Sequence, residues 1–173
     1  MIIQSKTIKL RLVEEHDAEF ILSLRTDNNY NQFLSSVNNN IQKQKKWIRN
    51  YKAKEKNNEE FYFIIETLNN VPCGTVRIYD MSDDSFSWGS WILNDSKTRT
   101  AAIESALLVY IFGFEIKKFP HCHFEVMKGN DKVISFHEKF NATKVKEDET
   151  YYYYEIKPND IIDIKNKFKN FIK

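Results

Sequence analysis

Residues 88–110, WGSWILNDSKTRTAAIESALLVY, decide how this chain folds. Residues 88–93 are the end of the run SFSWGSWIL (residues 85–93), whose aromatic-rich composition predicts a β-strand. From residue 100 to residue 116 the pattern predicts the longest helix of the chain. Glu104 and Ser105 interrupt the apolar run of this helix, which falls short of the ~20 residues that a membrane-spanning helix needs. The segment therefore predicts a strand, a polar loop and a buried helix.

The flanking sequence predicts further strands and helices on both sides of this segment. Upstream, alternating apolar residues predict a strand at 7–13, two helices at 17–25 and 41–54, and a meander of β-rich runs that ends with residues 85–93. Downstream, the pattern predicts a strand at 121–127, a helix at 133–140, a hairpin with its last strand at 151–154, and an amphipathic helix within 159–173. We expect one α/β domain over residues 1–173, with about seven mostly antiparallel strands and helices on both faces of the sheet.

Composition narrows the class of protein. Hydrophobic residues at 42% and charged residues at 29% are typical of a soluble globular domain, and 173 residues are enough for one core. The 26 basic and 24 acidic residues are dispersed along the chain, so we expect no nucleic-acid partner. The N-terminal residues do not form a signal-peptide pattern, and Cys73 and Cys122 belong to no CxxC pair. These features predict a cytoplasmic protein with reduced thiols and no membrane partner.

Three segments carry a family resemblance. The three segments are residues 88–110, FEVMKGNDKVISFHEKFNA (124–142) and LRTDNNYNQFL (24–34). They resemble the GNAT superfamily of N-acetyltransferases, in its RimJ/RimL-like branch. The order of predicted elements agrees over almost the whole chain. The resemblance implies a GNAT fold whose sheet splays open between the fourth and fifth predicted strands, residues 85–93 and 121–127. It also implies transfer of an acetyl group from acetyl-CoA to a primary amine.

The resemblance places acetyl-CoA along the fourth strand and the helix that follows it. Unpaired N–H groups and a positive dipole at a helix N-terminus suit the pyrophosphate. Where the family usually has glycines this chain has alanines, so we expect a loop without positive φ angles. Strand N–H and C=O groups would pair with the pantetheine arm, and one N–H would stabilise the oxyanion. The expected acetyl-CoA contacts are Ile92, Leu93, Lys97, Thr98, Arg99, Thr100, Ala101, Ala102, Ile103, Asn130, Val133 and Phe136.

Two residues are expected to transfer protons in the reaction. His137 stands where family members usually have a tyrosine that protonates the leaving thiolate, and an ordinary imidazolium pKa of ~6.5 suits that task. A histidine that only packs on the helix face fits the same pattern. Glu125 is the preferred candidate for the general base, with Asp80 as an alternative. His121, His123 and Glu125 share one face of a strand, but because they offer no fourth ligand we predict no metal site.

The loop after the first helix indicates the acceptor. Residues 24–34 are similar to amino-sugar acetyltransferases that act on nucleotide-linked sugars in bacterial nonulosonic-acid and surface-glycan pathways. Arginine suits a phosphate and aromatic rings suit a base or a sugar face. The expected acceptor contacts are Arg25, Tyr30, Phe33, Leu34, Asp80, Trp88 and Trp91.

Several alternatives stay open at this point. The layout is also close to that of ribosomal-protein N-terminal acetyltransferases, and the missing glycines and tyrosine are compatible with a noncatalytic acyl-CoA-binding module. The terminal helix could dock on a membrane or a partner, although packing on its own domain is more common. A homodimer could form through the strand at 151–154 or through the terminal helix.

Overall fold

The computed structural model describes residues 1–172, so Lys173, the last residue of the predicted terminal helix, lies outside the described residues. The helices are α1 (Ala18–Thr26), α2 (Ile41–Lys56), α3 (Ala101–Tyr110), α4 (Asp131–Lys139), α5 (Pro158–Lys167) and α6 (Lys169–Ile172). The strands are β1 (Ile2–Gln4), β2 (Ile8–Leu12), β3 (Phe61–Thr67), β4 (Pro72–Tyr79), β5 (Ser85–Leu93), β6 (His121–Met127), β7 (Thr143–Glu147) and β8 (Tyr151–Ile156). None of the helices within residues 1–172 is long and apolar enough to cross a bilayer.

The eight strands form one sheet in the order β1-β2-β3-β4-β5-β6-β8-β7. Every neighbouring pair is antiparallel except β5 and β6, which run parallel. The predicted fourth and fifth strands are β5 and β6, and they pair only at Ser85–His121 and Phe86–Cys122. Beyond those two pairs the strands separate, which confirms the predicted splay. The sequence pattern does not predict β1, whose three residues add an eighth strand at the edge.

Helices cover the two faces of the sheet unequally. On one face α1 and α2 enclose a small core built from residues such as Ile21, Ile48 and Tyr62. On the other face α3, α4 and α5 enclose the larger core, because the apolar side chains of β2–β6 and β8 point there. On the α1/α2 face the part of the sheet around His123 and Glu125 is not buried. Polar side chains of β6 are therefore accessible on this face beyond the paired residues.

The predicted helix over residues 100–116 changes its hydrogen bonding halfway. α3 is followed by a π-helical segment, Ile111–Ile116, in which Gly113 faces the ring of Phe86. A Cβ atom on Gly113 would lie 2.1 Å from Phe86 Cζ, so a side chain cannot fit there without movement of the ring. The wider π turn and the glycine together let the helix approach the start of β5.

The C-terminal segment packs on its own domain. Ile161 and Ile164 of α5 are buried in the larger core, and the Phe168 ring stacks on Phe140 of the chain segment after α4 at 6.3 Å. The apolar face of this segment is therefore covered from within. The expectation that residues 151–154 could pair with a second subunit is wrong, because β8 lies between β6 and β7 and has no free edge. The exposed strand at that edge is β7.

Candidate functional site

A β-bulge in β5 lies beside the opening between β5 and β6. Thr75 of β4 pairs with Ile92, but Arg77 pairs with Gly89, so β5 has one residue more than its partner over this stretch. Ser90 takes up the extra length with a left-handed φ of 47°. Its carbonyl oxygen accepts a hydrogen bond from Thr75 Oγ1 at 3.0 Å. Such a bulge takes backbone groups out of the regular sheet ladder.

The loop of residues 94–100, here called the donor loop, leads from β5 into α3. No residue from 94 to 103 has a positive φ, as the alanine-containing sequence predicts. Among residues 1–172, no hydrogen-bond acceptor pairs with the N–H groups of Thr98, Arg99, Thr100, Ala102 and Ile103. Free N–H groups at a helix N-terminus form a site for an anion such as a pyrophosphate. Lys97 and Arg99 are exposed beside them and add positive charge.

The threonine side chains of the donor loop point inward. Thr98 Oγ1 lies 2.7 Å from Thr7 Oγ1, and Thr100 Oγ1 donates to Glu104 Oε1 at 2.5 Å. In these two expected acetyl-CoA contacts the hydroxyls are therefore engaged within the protein, and the N–H groups have no partner among the described residues.

On the α3/α4 side of the gap, apolar side chains line the approach to β5. Trp91, Phe136, Val133 and Ile103 are half-buried there, with the Trp91 and Phe136 ring centroids 4.9 Å apart. Trp91 Nε1 donates to Ser105 Oγ of α3 at 3.1 Å. This surface suits the apolar stretches of a pantetheine arm. It brings expected donor contacts from β5, α3 and α4 together.

His137 is enclosed by aromatic rings. Its ring centroid lies 4.3 Å from that of Phe124, 5.2 Å from that of Trp88 and 5.8 Å from that of Phe136. Nδ1 is buried without a hydrogen-bond partner. Burial lowers the pKa of His137 from 6.5 to about 3, because an imidazolium would lose its hydration here. The ordinary imidazolium pKa on which the expected general acid depended is therefore not found, and the ring is neutral at pH 7.

A cleft of about 370 Å³ opens on the α1/α2 face, and we call it the acceptor cleft. Arg25 and Arg77 both reach it, and the Nε atom of each is buried without a hydrogen-bond partner. Arg25 Nη2 donates to Ser35 O at 2.7 Å, which ties α1 to the following loop. The lining residues are Arg25, Ser35, Ser36, Val37, Asn38, Lys43, Gln44, Trp47, Tyr62, Arg77 and Ser90. Three cations and no carboxylate line this cleft.

Arg77 is held in place on three sides. Its guanidinium carbon lies 5.3 Å from the Trp47 ring centroid and 5.4 Å from that of Tyr79, and Nη2 donates to Glu60 Oε2 at 2.5 Å. Glu60 is the partner of Arg77 but does not line the cleft. A planar, charged group fixed in this way suits an anion that arrives from solvent.

Glu125 lies on the same face, across the gap from the bulge. It is three residues beyond the last β6 pairing residue, as Gly89 is in β5, and it alternates with the core residues Phe124 and Val126. A Cβ atom on Gly89 would lie 2.9 Å from the Tyr79 hydroxyl, so the glycine leaves room for that ring. Burial, together with the charge of Glu125, raises the pKa of Tyr79. Glu125 and Tyr79 therefore lie on the same face of the sheet as the acceptor cleft, but neither lines it.

Asp80 forms a separate pair at the end of β4. Its Oδ2 atom lies 2.9 Å from His123 Nε2, and its φ of 48° is left-handed. Asp80 does not line the acceptor cleft. Among residues 1–172, no group of three or more His, Cys, Asp or Glu side chains is arranged to hold a metal ion.

The expected aromatic acceptor contacts lie elsewhere. Trp88 is only 4% exposed and packs in the larger core, while Trp91 belongs to the donor side of β5. Tyr30, Phe33 and Leu34 are half-buried in the loop after α1 and do not line the acceptor cleft. The strand alternation of β5 was the available signal for Trp88, because position 88 shares its face with the buried Phe86.

The sequence pattern does not identify Trp47, Tyr62 and Arg77 as site residues. They come from α2, β3 and β4, and only the tertiary fold brings them to one cleft. The available signal was that Tyr62 and Arg77 are paired residues of adjacent strands and so share a face.

Known proteins resemble the chain in sequence and in structure. A model of the acetyltransferase (GNAT) domain matches residues 7–143. The structure of apo FdhC, described as a nucleotide-linked sugar GNAT, is 48% identical, covers 100% of this chain and 99% of its own, and superposes with a TM-score of 0.93. No curated protein matches the chain.

More distant structures share the fold. A ribosomal-protein-S5-alanine acetyltransferase from Vibrio fischeri is 14% identical, with a TM-score of 0.79 over 92% of this chain and 98% of its own. A spermidine N-acetyltransferase from Vibrio cholerae is 15% identical, with a TM-score of 0.72 over 91% and 97%. At these identities the likeness concerns the fold alone.

Proposed function

This chain belongs to the GNAT acetyltransferase family, and we propose that it transfers an acetyl group from acetyl-CoA to the amine of a nucleotide-linked amino sugar. The observation that carries the proposal is the charge of the acceptor cleft. Arg25, Lys43 and Arg77 line it without a carboxylate, and the Nε atoms of both arginines lack partners. A nucleotide diphosphate offers the oxygens that such groups bind.

The same charges disfavour other acceptors of the fold. A polyamine carries several positive charges, which Arg25 and Lys43 would repel, while the Glu60 carboxylate is paired with Arg77 and does not line the cleft. A peptide N-terminus has no phosphate that could pair with these cations, and it needs an extended groove for its backbone. FdhC, which is similar to this chain over its full length, is described as a nucleotide-linked sugar GNAT. We therefore rank the ribosomal-protein alternative second.

We propose Glu125 as the general base. An amine that reaches the gap from the acceptor cleft passes the face of β6 on which Glu125 is exposed. Glu125 accepts a proton from this amine, directly or through a water. With one proton transferred to Glu125, the neutral amine nitrogen attacks the thioester carbon. The C–S bond then breaks, CoA leaves as a thiolate, and the nitrogen loses its second proton to solvent. An N–H group at the β5 bulge is the candidate donor to the oxyanion, since Ser90 turns the backbone out of the ladder there.

We assign His137 a different role from an imidazolium acid. Because its pKa is about 3, the ring can donate a hydrogen bond to the leaving sulfur as a neutral imidazole but carries no extra proton to give. Proton transfer to the thiolate then takes place from solvent.

The proposal also includes a cytosolic location and a part in bacterial surface-glycan synthesis. The two free, buried cysteines support the location, and the substrate class supports the pathway.

The test is thiol release from acetyl-CoA with a panel of acceptors. We expect release with nucleotide-linked amino sugars, and none with spermidine or with peptide N-termini. An Arg77→Gln variant should raise the KM for the sugar nucleotide, while the matched variant Arg49→Gln, whose exposed side chain pairs with Glu15 outside the cleft, should not. Release with peptides alone would transfer the assignment to protein acetylation. CoA binding without release for any amine would indicate a noncatalytic module.

A further inference from the structure

Glu104, in the first turn of α3, is a buried carboxylate without a cation partner among the described residues. It is 0% exposed and accepts four hydrogen bonds, from Ser5 Oγ at 2.6 Å, Thr7 N at 2.8 Å, Thr7 Oγ1 at 2.6 Å and Thr100 Oγ1 at 2.5 Å. Burial alone would raise its pKa, but the bonds from Ser5, Thr100 and Thr7 outweigh burial and lower it. The side chain is therefore a buried anion held by neutral donors.

Thr7 extends this arrangement to the donor loop. Its hydroxyl contacts both Glu104 Oε1 at 2.6 Å and Thr98 Oγ1 at 2.7 Å, so one side chain joins the carboxylate to the middle of the loop. The turn that carries Thr7 is itself fixed, because the neighbouring Lys6 N–H donates to Phe171 O of α6 at 3.0 Å. The donor loop is thus anchored from behind by residues about 90 positions away in sequence.

We propose that Glu104 and Thr7 are positioning residues, which set the free N–H groups of the donor loop for the pyrophosphate of acetyl-CoA. The hydroxyls of Thr98 and Thr100 are engaged within the protein, and the backbone N–H groups of both residues stay unpaired among the described residues. A glycine-rich loop can adopt a phosphate-binding shape by its own freedom. This loop has no glycine, and its shape is fixed by side-chain hydrogen bonds from the β1–β2 turn.

The anchor acts by geometry and not by charge. A negative carboxylate behind the loop repels a phosphate, so any benefit to binding must come from the fixed direction of the N–H groups. The test therefore needs a variant that removes the hydrogen bonds of the anchor and leaves the charge of Glu104 in place. Thr7→Val keeps the side-chain volume and the charge of Glu104, and removes both hydroxyl contacts. Thr7→Ser restores a hydroxyl at the same place.

The experiment compares two acetyl donors, acetyl-CoA and S-acetylpantetheine, which lacks the pyrophosphate. The inference rests on the proposed use of acetyl-CoA, so wild-type protein that binds no CoA in calorimetry would overturn the proposed function itself. With wild-type binding established, we expect Thr7→Val to weaken CoA binding about tenfold, the effect of roughly one lost hydrogen bond. Its kcat at saturating acetyl-CoA and its kcat/KM for S-acetylpantetheine should stay at wild-type values.

Two further variants make the outcome specific. Thr7→Ser should bind CoA within about twofold of the wild type. Thr26→Val removes a hydroxyl that donates to Leu22 O at 2.8 Å in α1, away from the donor loop, and should leave CoA binding unchanged. All variants are assayed below their unfolding temperatures. Unchanged CoA binding in Thr7→Val, or an equal loss with both acetyl donors, would overturn the positioning role.

Discussion

Burial of a neutral histidine makes the stability of this protein depend on pH in a way that can be calculated. The pKa of His137 is about 3 in the folded chain and 6.5 at its ordinary value. The folded state therefore binds fewer protons than the unfolded state between these two values. Stability is complete above pH 6.5 and is lost as the pH falls toward 3. For this one group the loss between pH 7 and pH 5 is about 2 kcal/mol.

The perturbation is His137→Phe, which removes the titrating ring and keeps an aromatic side chain among Trp88, Phe124 and Phe136. Urea unfolding, followed by circular dichroism at pH 7 and pH 5, gives the free energy of unfolding at each pH. We expect the drop from pH 7 to pH 5 to be smaller in the variant by about 2 kcal/mol. Acidic groups titrate alike in both proteins, so their contribution cancels in the difference.

The control is Ile156→Val, a substitution in the same larger core that removes no titrating group. This variant should keep the wild-type drop between pH 7 and pH 5. An equal drop in His137→Phe and wild type would refute the conclusion that His137 is neutral because it is buried.

Three further predictions concern the site and the core. Arg77→Gln should raise the KM for the sugar nucleotide at least about tenfold in steady-state kinetics and leave the KM for acetyl-CoA unchanged, because the proposed contact between Arg77 and a phosphate is lost. Equal effects on both KM values would contradict the assignment. Glu125→Gln should lower kcat roughly 100-fold near pH 7 and less at high pH, where the amine is already neutral, and a deficit that is constant with pH would exclude the base. Gly113→Ala should destabilise the fold by about 3 kcal/mol in urea, because its Cβ atom would meet Phe86 Cζ at 2.1 Å; a stability equal to wild type would contradict the close packing.

Periodicity predicts most of this fold because the side chains of each element report which face is buried. Alternation in residues 7–13 predicts β2, and the apolar run after residue 100 predicts α3. β1 has only three residues, too few for a pattern, and it forms because β2 offers an edge. The π-helical turn after Tyr110 is not distinguishable in sequence from a continued α-helix, since the apolar pattern does not report which backbone groups are hydrogen-bonded.

One part of the site is determined by the local sequence and the other by the tertiary fold. The donor loop is predictable because N–H groups are left free at any helix N-terminus, whatever surrounds it. The acceptor cleft is not, because Trp47, Tyr62 and Arg77 meet only after α2 has packed on the sheet. The protonation state of His137 likewise depends on rings from two strands, which a sequence pattern around residue 137 does not contain.

The limited pairing of β5 with β6 also bears on how the native state fluctuates. The sheet consists of two groups of strands, β1 to β5 and β6 to β8, and two residue pairs between β5 and β6 join them. By comparison, β6 and β8 share six pairs. Backbone hydrogen bonds thus divide the sheet into two cooperative units that side-chain packing holds together. In native-state hydrogen exchange, we expect the amides of β6 and β8 to open as one group, at a lower free energy than those of β3 and β4.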